Sequence, residues 1–321
     1  MFYEKINIII PVYNRVDLIG YSIESALAQD YGNFDIIIVD NASDDGTWDV
    51  LNDYHVRYPD KIKIYRNKKN IGPVGNWEKC LSFSDGVYVK FLFSDDILLP
   101  NCLSLLAENF TDDVAFAVST VLVGTAIDDI KTKSYYQWRK HTGYYSTMSF
   151  LSEAWCSNDI SHSPGAALFR LNDLNRSLVK SVVDPIAQDF MSTGAGSDLL
   201  FFLLTAVEFE NVYFVTEPTS FFRVHSGAFT IGDRALLVQK CYTASKLFFY
   251  SRYLDRLGVD VSSILMFDWI RYQVKTRRSI SFSRYTEEVI GISNVQFEIA
   301  RVIGVFVRLF FNFPRYILRK I

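Results

Sequence analysis

No glycine-rich turn follows the first strand-like run of this chain, which passes from Ile6-Asn7-Ile8-Ile9-Ile10 into Pro11-Val12-Tyr13-Asn14. A dinucleotide fold needs glycines there, so a nicotinamide oxidoreductase is disfavoured. A Gly-Lys-Ser/Thr phosphate loop is also missing, which argues against a P-loop kinase. Cysteine is scarce. Cys80, Cys102, Cys156 and Cys241 lie far apart, with no close metal-type pairing and no small disulfide framework, and read as reduced interior residues. No internal repeat, low-complexity linker or recognised nucleic-acid-binding motif is present. The chain opens on its strand-like run without a charged leader and apolar signal core, so a cytoplasmic location is expected.

The 321 residues suffice for one large α/β domain with an appendage, or for two modest domains. A hydrophobic content of 49% and an aromatic content of 16% exclude a disordered chain. The net charge of −3 conceals two halves of opposite sign: residues 1–233 hold 18 Lys+Arg against 30 Asp+Glu, and residues 234–321 hold 15 against 6. A basic, aromatic-rich end points to an anionic surface for that part of the chain. The sign changes near Gly232, giving an expected division into residues 1–232 and 233–321.

Strand and helix alternate through the first hundred residues. The β-branched run to Val12 is followed by Leu18, Ile19, Ile23 and Leu27 at helical spacing. Phe34–Asp40 predicts a second strand, Thr47–Tyr58 a helix, Ile62–Tyr65 a third strand, and the stretch through Trp77 and Leu81 another helix. Val87–Phe93 predicts the next strand. Alternation at this spacing implies a mainly parallel sheet with helices on both faces. Further on, strands are expected at Val114–Val123, after Ser163, at Asn211–Thr216 and at Ser220–Val224, with a buried helix over Leu199–Ala206.

In a parallel sheet the carboxyl ends of the strands share one edge, where ligands bind. Asn14, Asp40, Ser43, Asp45, Asn70, Gly72, Asp95 and Asp96 all follow predicted strands and so line one cleft. The apolar Phe91-Leu92-Phe93 delivers Ser94-Asp95-Asp96 to that edge, where hard carboxylate oxygens suit Mg2+ or Mn2+ carrying substrate phosphates. Carboxylates after a strand also cap helices or solvate turns, and each of these positions carries that alternative.

Together these pieces resemble the inverting family 2 glycosyltransferases, which have the GT-A nucleotide-sugar-binding fold. The resemblance covers roughly residues 5–232 and rests on Ile10–Asn14, Val39–Thr47, Asn70-Ile71-Gly72, Ser94-Asp95-Asp96 with Pro100, Gly196-Ser197-Asp198, and Phe222-Arg223-Val224-His225. It implies that Pro11, Val12, Tyr13, Asn14, Asp40 and Ser43 hold the nucleotide, Asp40 accepting from its base, and that Asn70 and Gly72 let the backbone approach it. It further implies that Asp95 faces the ribose or sugar, that Asp96 ligates Mn2+ or Mg2+, and that His225, helped by Arg223, closes over the diphosphate or metal. Asp198 matches the catalytic base. Family members more often carry Glu-Asp here, whereas this chain has Ser197-Asp198, so Asp189 stands as a reserve candidate and a helix cap as the structural alternative for Asp198. His162, Trp155 and Trp138 are candidates for the acceptor side, against the plainer reading of aromatic core residues.

In residues 299–321, Arg301, Arg308, Asn312, Arg315 and Arg319 share a narrow arc at about 100° per residue, while apolar residues cover the rest. Arg308 and Pro314 argue against a membrane span, and the pattern suits a helix lying on an anionic leaflet or, alternatively, packed on the protein or a partner. The expected activity is metal-dependent transfer, with inversion, of a sugar from a nucleoside-diphosphate donor, UDP by family habit, to a hydroxyl of a lipid-linked oligosaccharide. The setting would be O-antigen or capsule assembly at the cytoplasmic face of the inner membrane. A sugar nucleotidyltransferase and a non-catalytic sugar-binding or scaffold protein are the alternatives.

Overall fold

The computed structural model describes residues 4–126, 134–157, 159–225, 235–257, 261–276 and 279–291. The expected amphipathic segment 299–321 and the expected boundary near residue 232 lie outside them. Three βα units and a fourth strand open the chain: β1 (Ile6–Val12), α1 (Ile19–Leu27), β2 (Phe34–Asp40), α2 (Thr47–Arg57), β3 (Ile62–Arg66), α3 (Gly72–Ser82) and β4 (Tyr88–Phe91). There follow β5 (Ile97–Leu98), α4 (Cys102–Ala107), β6 (Val114–Gly124), β7 (Ser134–Tyr136), β8 (Gly143–Ser146), α5 (Thr147–Ala154) and β9 (Ala167–Arg170). The remainder is α6 (Leu171–Ser177), β10 (Ser181–Val182), β11 (Gln188–Asp189), α7 (Ser197–Ala206), β12 (Asn211–Arg223), α8 (Ala235–Leu257) and α9 (Val261–Thr276), then a short helical stretch to Ile290.

The main sheet runs β3-β2-β1-β4-β9-β6-β12-β5. β1 pairs in parallel with β2 and β4, β2 with β3, and β6 with β12, while β9 runs antiparallel between β4 and β6. Two antiparallel steps restore direction, so β1–β4, β6 and β12 all end on the same edge. The two strands expected at 211–216 and 220–224 are one strand, β12. Pro218 cannot donate to a ladder, and β12 accommodates it with register shifts against β6 on either side of it.

Alternation along the strands distributes the core to both faces. Ile6, Ile8 and Ile10 of β1 join Ile36 and Ile38 of β2 against α1 and α2, while Ile9, Ile37 and Val39 face Val74, Trp77 and Cys80 of α3. Pro11 sits in a central strand without breaking it, because the β4 ladder ends at Ile9 opposite Phe91. Asn7 is wholly buried in β1, and its carboxamide is satisfied by Asp85 and Gly86 in the turn that leads to β4.

The helices after residue 235 share this core: Cys241, Ala244, Leu247 and Tyr250 of α8 and Ile264 and Leu265 of α9 belong to the cluster built on α3 and α7. Between α8 and α9 lies a buried ion pair, Lys246 Nζ to Asp268 Oδ1 at 2.9 Å, with Thr243 Oγ1 donating to Asp268 Oδ2 at 2.7 Å. Burial pushes the Lys246 ammonium below its ordinary pKa, and the Asp268 carboxylate opposes that fall. Among the described residues no helix is long and apolar enough to cross a membrane.

Two predictions test this packing. Asp268→Ala strands the Lys246 charge in the core and is expected to cost about 3–5 kcal/mol, read as a lower denaturant midpoint; an unchanged midpoint would show the pair to be dispensable. Gly72, at φ +77°, opens α3 where a Cβ would overlap the Met191 carbonyl oxygen. Gly72→Ala should therefore destabilise the protein by about 2 kcal/mol in the same measurement.

Candidate active site

The first part of the cleft is a pair of interlocked loops after β1 and β2. Val12 and Asp40, the last residues of the two strands, lie opposite each other in register. Asp40 is fully buried, accepts from the Ser43 N–H at 3.1 Å and from the Ser43 hydroxyl, and receives Arg66 Nε at 3.1 Å. Asn14, at φ +49°, donates its N–H to Ser43 Oγ at 2.9 Å, and its carboxamide exchanges two hydrogen bonds with Asp44. Burial works to raise the Asp45 carboxyl, but hydrogen bonds from Thr47 and Val16 outweigh it and hold the group below the usual carboxylate range. Pro11 and Val12 are buried beneath these loops, and the Tyr13 ring is exposed at their rim.

An asparagine cluster ties β2 to the start of α3. Asn41 Nδ2 donates to Asn70 Oδ1 at 2.9 Å, while its Oδ1 accepts from Asn67 Nδ2 and the Ile71 N–H, each at 3.0 Å. Asn70 Oδ1 also accepts the Gly72 N–H at 2.9 Å. The need for glycine at position 72 comes from its φ of +77° and from the Met191 carbonyl, part of the loop that leads to Asp198.

The second part is the end of β4. Asp95 Oδ2 receives His225 Nε2 at 3.0 Å and Arg15 Nε at 3.6 Å, and its carbonyl accepts from Arg223 Nε at 3.2 Å. Asp96 is buried, its Oδ1 accepting the Arg223 N–H at 3.0 Å. Desolvation, reinforced by the neighbouring Asp95 charge, pushes the Asp96 carboxyl well above its ordinary pKa, against the pull of Lys90 and Arg223. Lys90, fully buried in β4, bonds the Gly165 carbonyl oxygen and reaches Ser220 Oγ at 3.4 Å. His225, expected over the diphosphate or metal, is held by Asp95 here, and Asp96 is held by backbone.

Among the described residues no three His, Cys, Asp or Glu side chains gather as a ready-made metal cage. A Mg2+ or Mn2+ ion bound through one or two carboxylates and completed by substrate phosphates does not require one. Adjacent Asp95 and Asp96, with the second carboxylate desolvated beside the first, form a hard-oxygen donor set that fits such an ion.

The third part is Asp198, in the first turn of α7 after Gly196 at φ +92°. Its Oδ1 accepts the N–H groups of Gly196 at 2.8 Å and Leu199 at 2.7 Å, and its Oδ2 accepts Tyr242 Oη at 2.6 Å. Desolvation lifts its pKa to about 7, although these three hydrogen bonds oppose the rise. A carboxylate with that pKa suits proton abstraction near neutrality. Gly196 is the N-cap of α7, and Asp198 acts in its first turn by accepting the nearby backbone N–H groups, a placement compatible with either expectation for this side chain. Trp77 links this loop to the β4 end: its ring lies against Gly194 and packs 5.9 Å from the ring of Phe93.

Asp189, the reserve candidate, is exposed on β11 and accepts the Met191 N–H at 2.8 Å. Trp138 and Trp155 are core residues, Trp138 edge-on to Phe150 and Trp155 edge-on to Phe267, because no solvent-open sugar face is left to them. His162 is packed 5.8 Å from the Tyr242 ring, and burial, with Lys246 and Arg271 nearby, drives its pKa down to about 3. Arg15, Arg66, Lys90 and Tyr242 are contributors that sequence reasoning left unassigned. Lys90 had a signal, a charge inside an apolar strand, and Arg66 had the same strand-end placement as Asp40. Tyr242 had none, since it arrives from a helix remote in sequence.

In sequence the chain is similar to the Escherichia coli UDP-Glc:alpha-D-GlcNAc-diphosphoundecaprenol beta-1,3-glucosyltransferase WfaP, with 40% identity over 93 residues, 29% of this chain and 36% of that protein. Eight curated relatives, WfaP among them, are each matched over no more than 44% of this chain and 38% of their own length. In structure it is similar to S. aureus TarS 1–349 in complex with UDP-GlcNAc, with a TM-score of 0.56 at 15% identity over 94% of this chain and 79% of that one. A mannosyltransferase from Pyrobaculum calidifontis in complex with GDP-Man and Mn2+ aligns with a TM-score of 0.50 at 15% identity, over 97% of this chain and 88% of that one. These likenesses at low identity show the shared GT-A fold. The profile of glycosyl transferase family 2 matches residues 7–176, more than half of the chain, which belongs to that family and is a glycosyltransferase.

Proposed function

We propose that this glycosyltransferase moves a sugar from a UDP-sugar, with inversion, to a hydroxyl of a lipid-linked oligosaccharide in cell-surface polysaccharide assembly of the O-antigen or capsule type. The observation that carries the reading is the triple arrangement of Asp40 on the β2 end, Asp95-Asp96 on the β4 end, and an Asp198 carboxyl brought to about 7. The UDP ligand of TarS and the donor and acceptor in the name of WfaP support the choice of UDP and of a diphosphate-linked lipid acceptor.

The interlocked loops Pro11–Asn14 and Asp40–Ser43 hold the nucleoside, with Asn70 and Gly72 at the border of that pocket. Asp95 faces the donor's ribose or sugar. Asp96 and His225 would hold a Mn2+ or Mg2+ ion, which when bound neutralises the diphosphate, a role supported by the Mn2+ of the Pyrobaculum neighbour. Arg223, tied to both carboxylate residues, and Arg15 place positive charge at the same edge. Asp198 takes the proton of the acceptor hydroxyl as that oxygen attacks the anomeric carbon from the face opposite the diphosphate. The new carbon–oxygen bond forms as the bond to the diphosphate breaks, and UDP leaves with the electron pair.

The setting follows from charge. Residues 234–321 hold 15 Lys+Arg against 6 Asp+Glu, which supports attachment to an anionic cytoplasmic leaflet through residues 299–321, with no nucleic-acid partner. The first 232 residues act as the transferase domain, and residues 233–321 as the membrane-associating extension.

The reading is tested by UDP release from UDP-glucose and UDP-GlcNAc, with Mn2+ or Mg2+ and a GlcNAc-diphospho-lipid acceptor. Asp198→Asn should lower kcat by about 10²–10⁴-fold with donor binding little changed; a wild-type rate would remove Asp198 as the base. Asp96→Asn should abolish metal-dependent transfer while thermal melting shows an intact fold. Because the folded-state pKa of Asp198 is raised, the active carboxylate is lost as pH falls, so kcat/KM should decline below an acid limb near 7. Removal of residues 299–321 should abolish co-sedimentation with anionic liposomes, and unchanged co-sedimentation would place the contact elsewhere.

A further inference from the structure

Asp198 meets α8 as well as its own loop. Its Oδ1 already accepts two backbone N–H groups, from Gly196 and Leu199, whereas its Oδ2 accepts only the Tyr242 hydroxyl at 2.6 Å among the hydrogen bonds of the described residues. A carboxylate oxygen has two lone-pair directions. Oδ1 has both occupied, and Oδ2 keeps one for a reacting proton. The Tyr242 ring is itself wedged beside His162, centroids 5.8 Å apart, and a Cβ at Gly196 would meet the Cys241 carbonyl oxygen at 2.9 Å. The base loop and α8 are therefore in contact through backbone as well as through this hydrogen bond.

We propose that Tyr242 is a positioning residue for the base: its hydroxyl fixes the Asp198 carboxylate in the plane that leaves one lone pair of Oδ2 for the acceptor's proton. The inference rests on Asp198 being the base. When the acceptor O–H transfers its proton to Oδ2, the phenol remains neutral and stays a donor to the same carboxyl, so no proton passes through Tyr242. Through this contact the helical layer after residue 235 acts directly on the chemistry.

The titratable and charged neighbours leave the signal readable. Cys241 on α8, with Asp189 of β11 beside it, has its thiol raised by burial, and the Tyr242 phenol, which also feels Tyr136 of β7, is raised far above its usual value by burial and the Asp198 charge. His162 is held neutral, pushed down to about 3 by burial with Lys246 and Arg271 nearby. Of these groups it is the Asp198 carboxyl that is brought to about 7. The Tyr242 hydrogen bond favours the charged carboxylate, so its loss must move that midpoint upward.

The experiment compares pH profiles of kcat/KM for UDP-glucose with a GlcNAc-diphospho-lipid acceptor in wild type, Tyr242→Phe, and protein with 2,3,5-trifluorotyrosine at position 242. Tyr242→Phe should raise the acid limb by about half to one pH unit, with a several-fold loss at pH 6.5 largely regained at pH 8.5. The more acidic fluorinated phenol, nearly unchanged in size, should lower the limb. A limb unmoved in both variants, or a loss equal at every pH, overturns the proposal, and if Tyr242→Phe fails to fold the fluorinated protein decides alone. Asp198→Asn run in parallel separates the two claims: a wild-type rate there removes the base and this proposal together, whereas an inactive Asp198→Asn with an unmoved Tyr242 profile rejects only the latter. If UDP-glucose is not turned over, 13C-NMR titration of aspartate carboxyls, with Asp198 assigned by its loss in Asp198→Asn, reads the same shift without substrate.

Discussion

Parallel pairing of the central strands is the constraint on which the site depends. Once β2, β1 and β4 run in one direction, and β9 reverses it twice on the way to β6 and β12, each of those strands ends at the same edge. The chain must turn there, and its backbone groups lose their ladder partners. Side chains of Ser43, Asn14, Asp45 and Asn41 take those partners' place, which is why the loops are both polar and rigid. A stitch closes the edge: the Arg223 N–H at the end of β12 bonds Asp96 at the end of β4.

Burial of charge is handled differently in the three parts of the cleft. Asp40 is wholly enclosed but meets Arg66 and Ser43. Asp96 is enclosed beside a like charge, with only the Arg223 N–H and the charges of Lys90 and Arg223 to oppose desolvation, so its charged form is disfavoured. Asp198 is desolvated and held by hydrogen-bond donors of its own loop and of α8, and is brought to about 7. One residue type thus meets three different surroundings along the cleft, which is how like groups come to take unlike roles.

The helices beyond residue 235 do more than follow the catalytic domain. They bury Cys241, Leu247 and Tyr250 in the core cluster that also holds Trp77 and Phe201, and they carry the Lys246–Asp268 pair that locks α8 to α9. This packed helix places the Tyr242 hydroxyl on the Asp198 carboxylate at 2.6 Å.

The order of strands and helices through β4 was legible because apolar runs of two-residue and helical period are local properties, and the family motifs fall at the strand ends where a parallel sheet needs polar residues. The placement of Asp40, Asp95 and Asp96 after strands and of Asp198 at a helix start was legible for the same reason. Other features were decided only in three dimensions. His225 pairs with Asp95, Gly72 is required by the Met191 carbonyl, and β12 runs unbroken past Pro218, each through contacts between residues distant in the chain. Trp138, Trp155 and His162 went to the interior, since aromatic residues without a periodic pattern carry no local sign of which face they take. The sequence by itself determined which polar residues stand at the ends of the strands; the tertiary structure decided how strongly each carboxylate is desolvated and which partner holds it, because solvent exclusion and hydrogen-bond geometry exist only once remote segments have packed together.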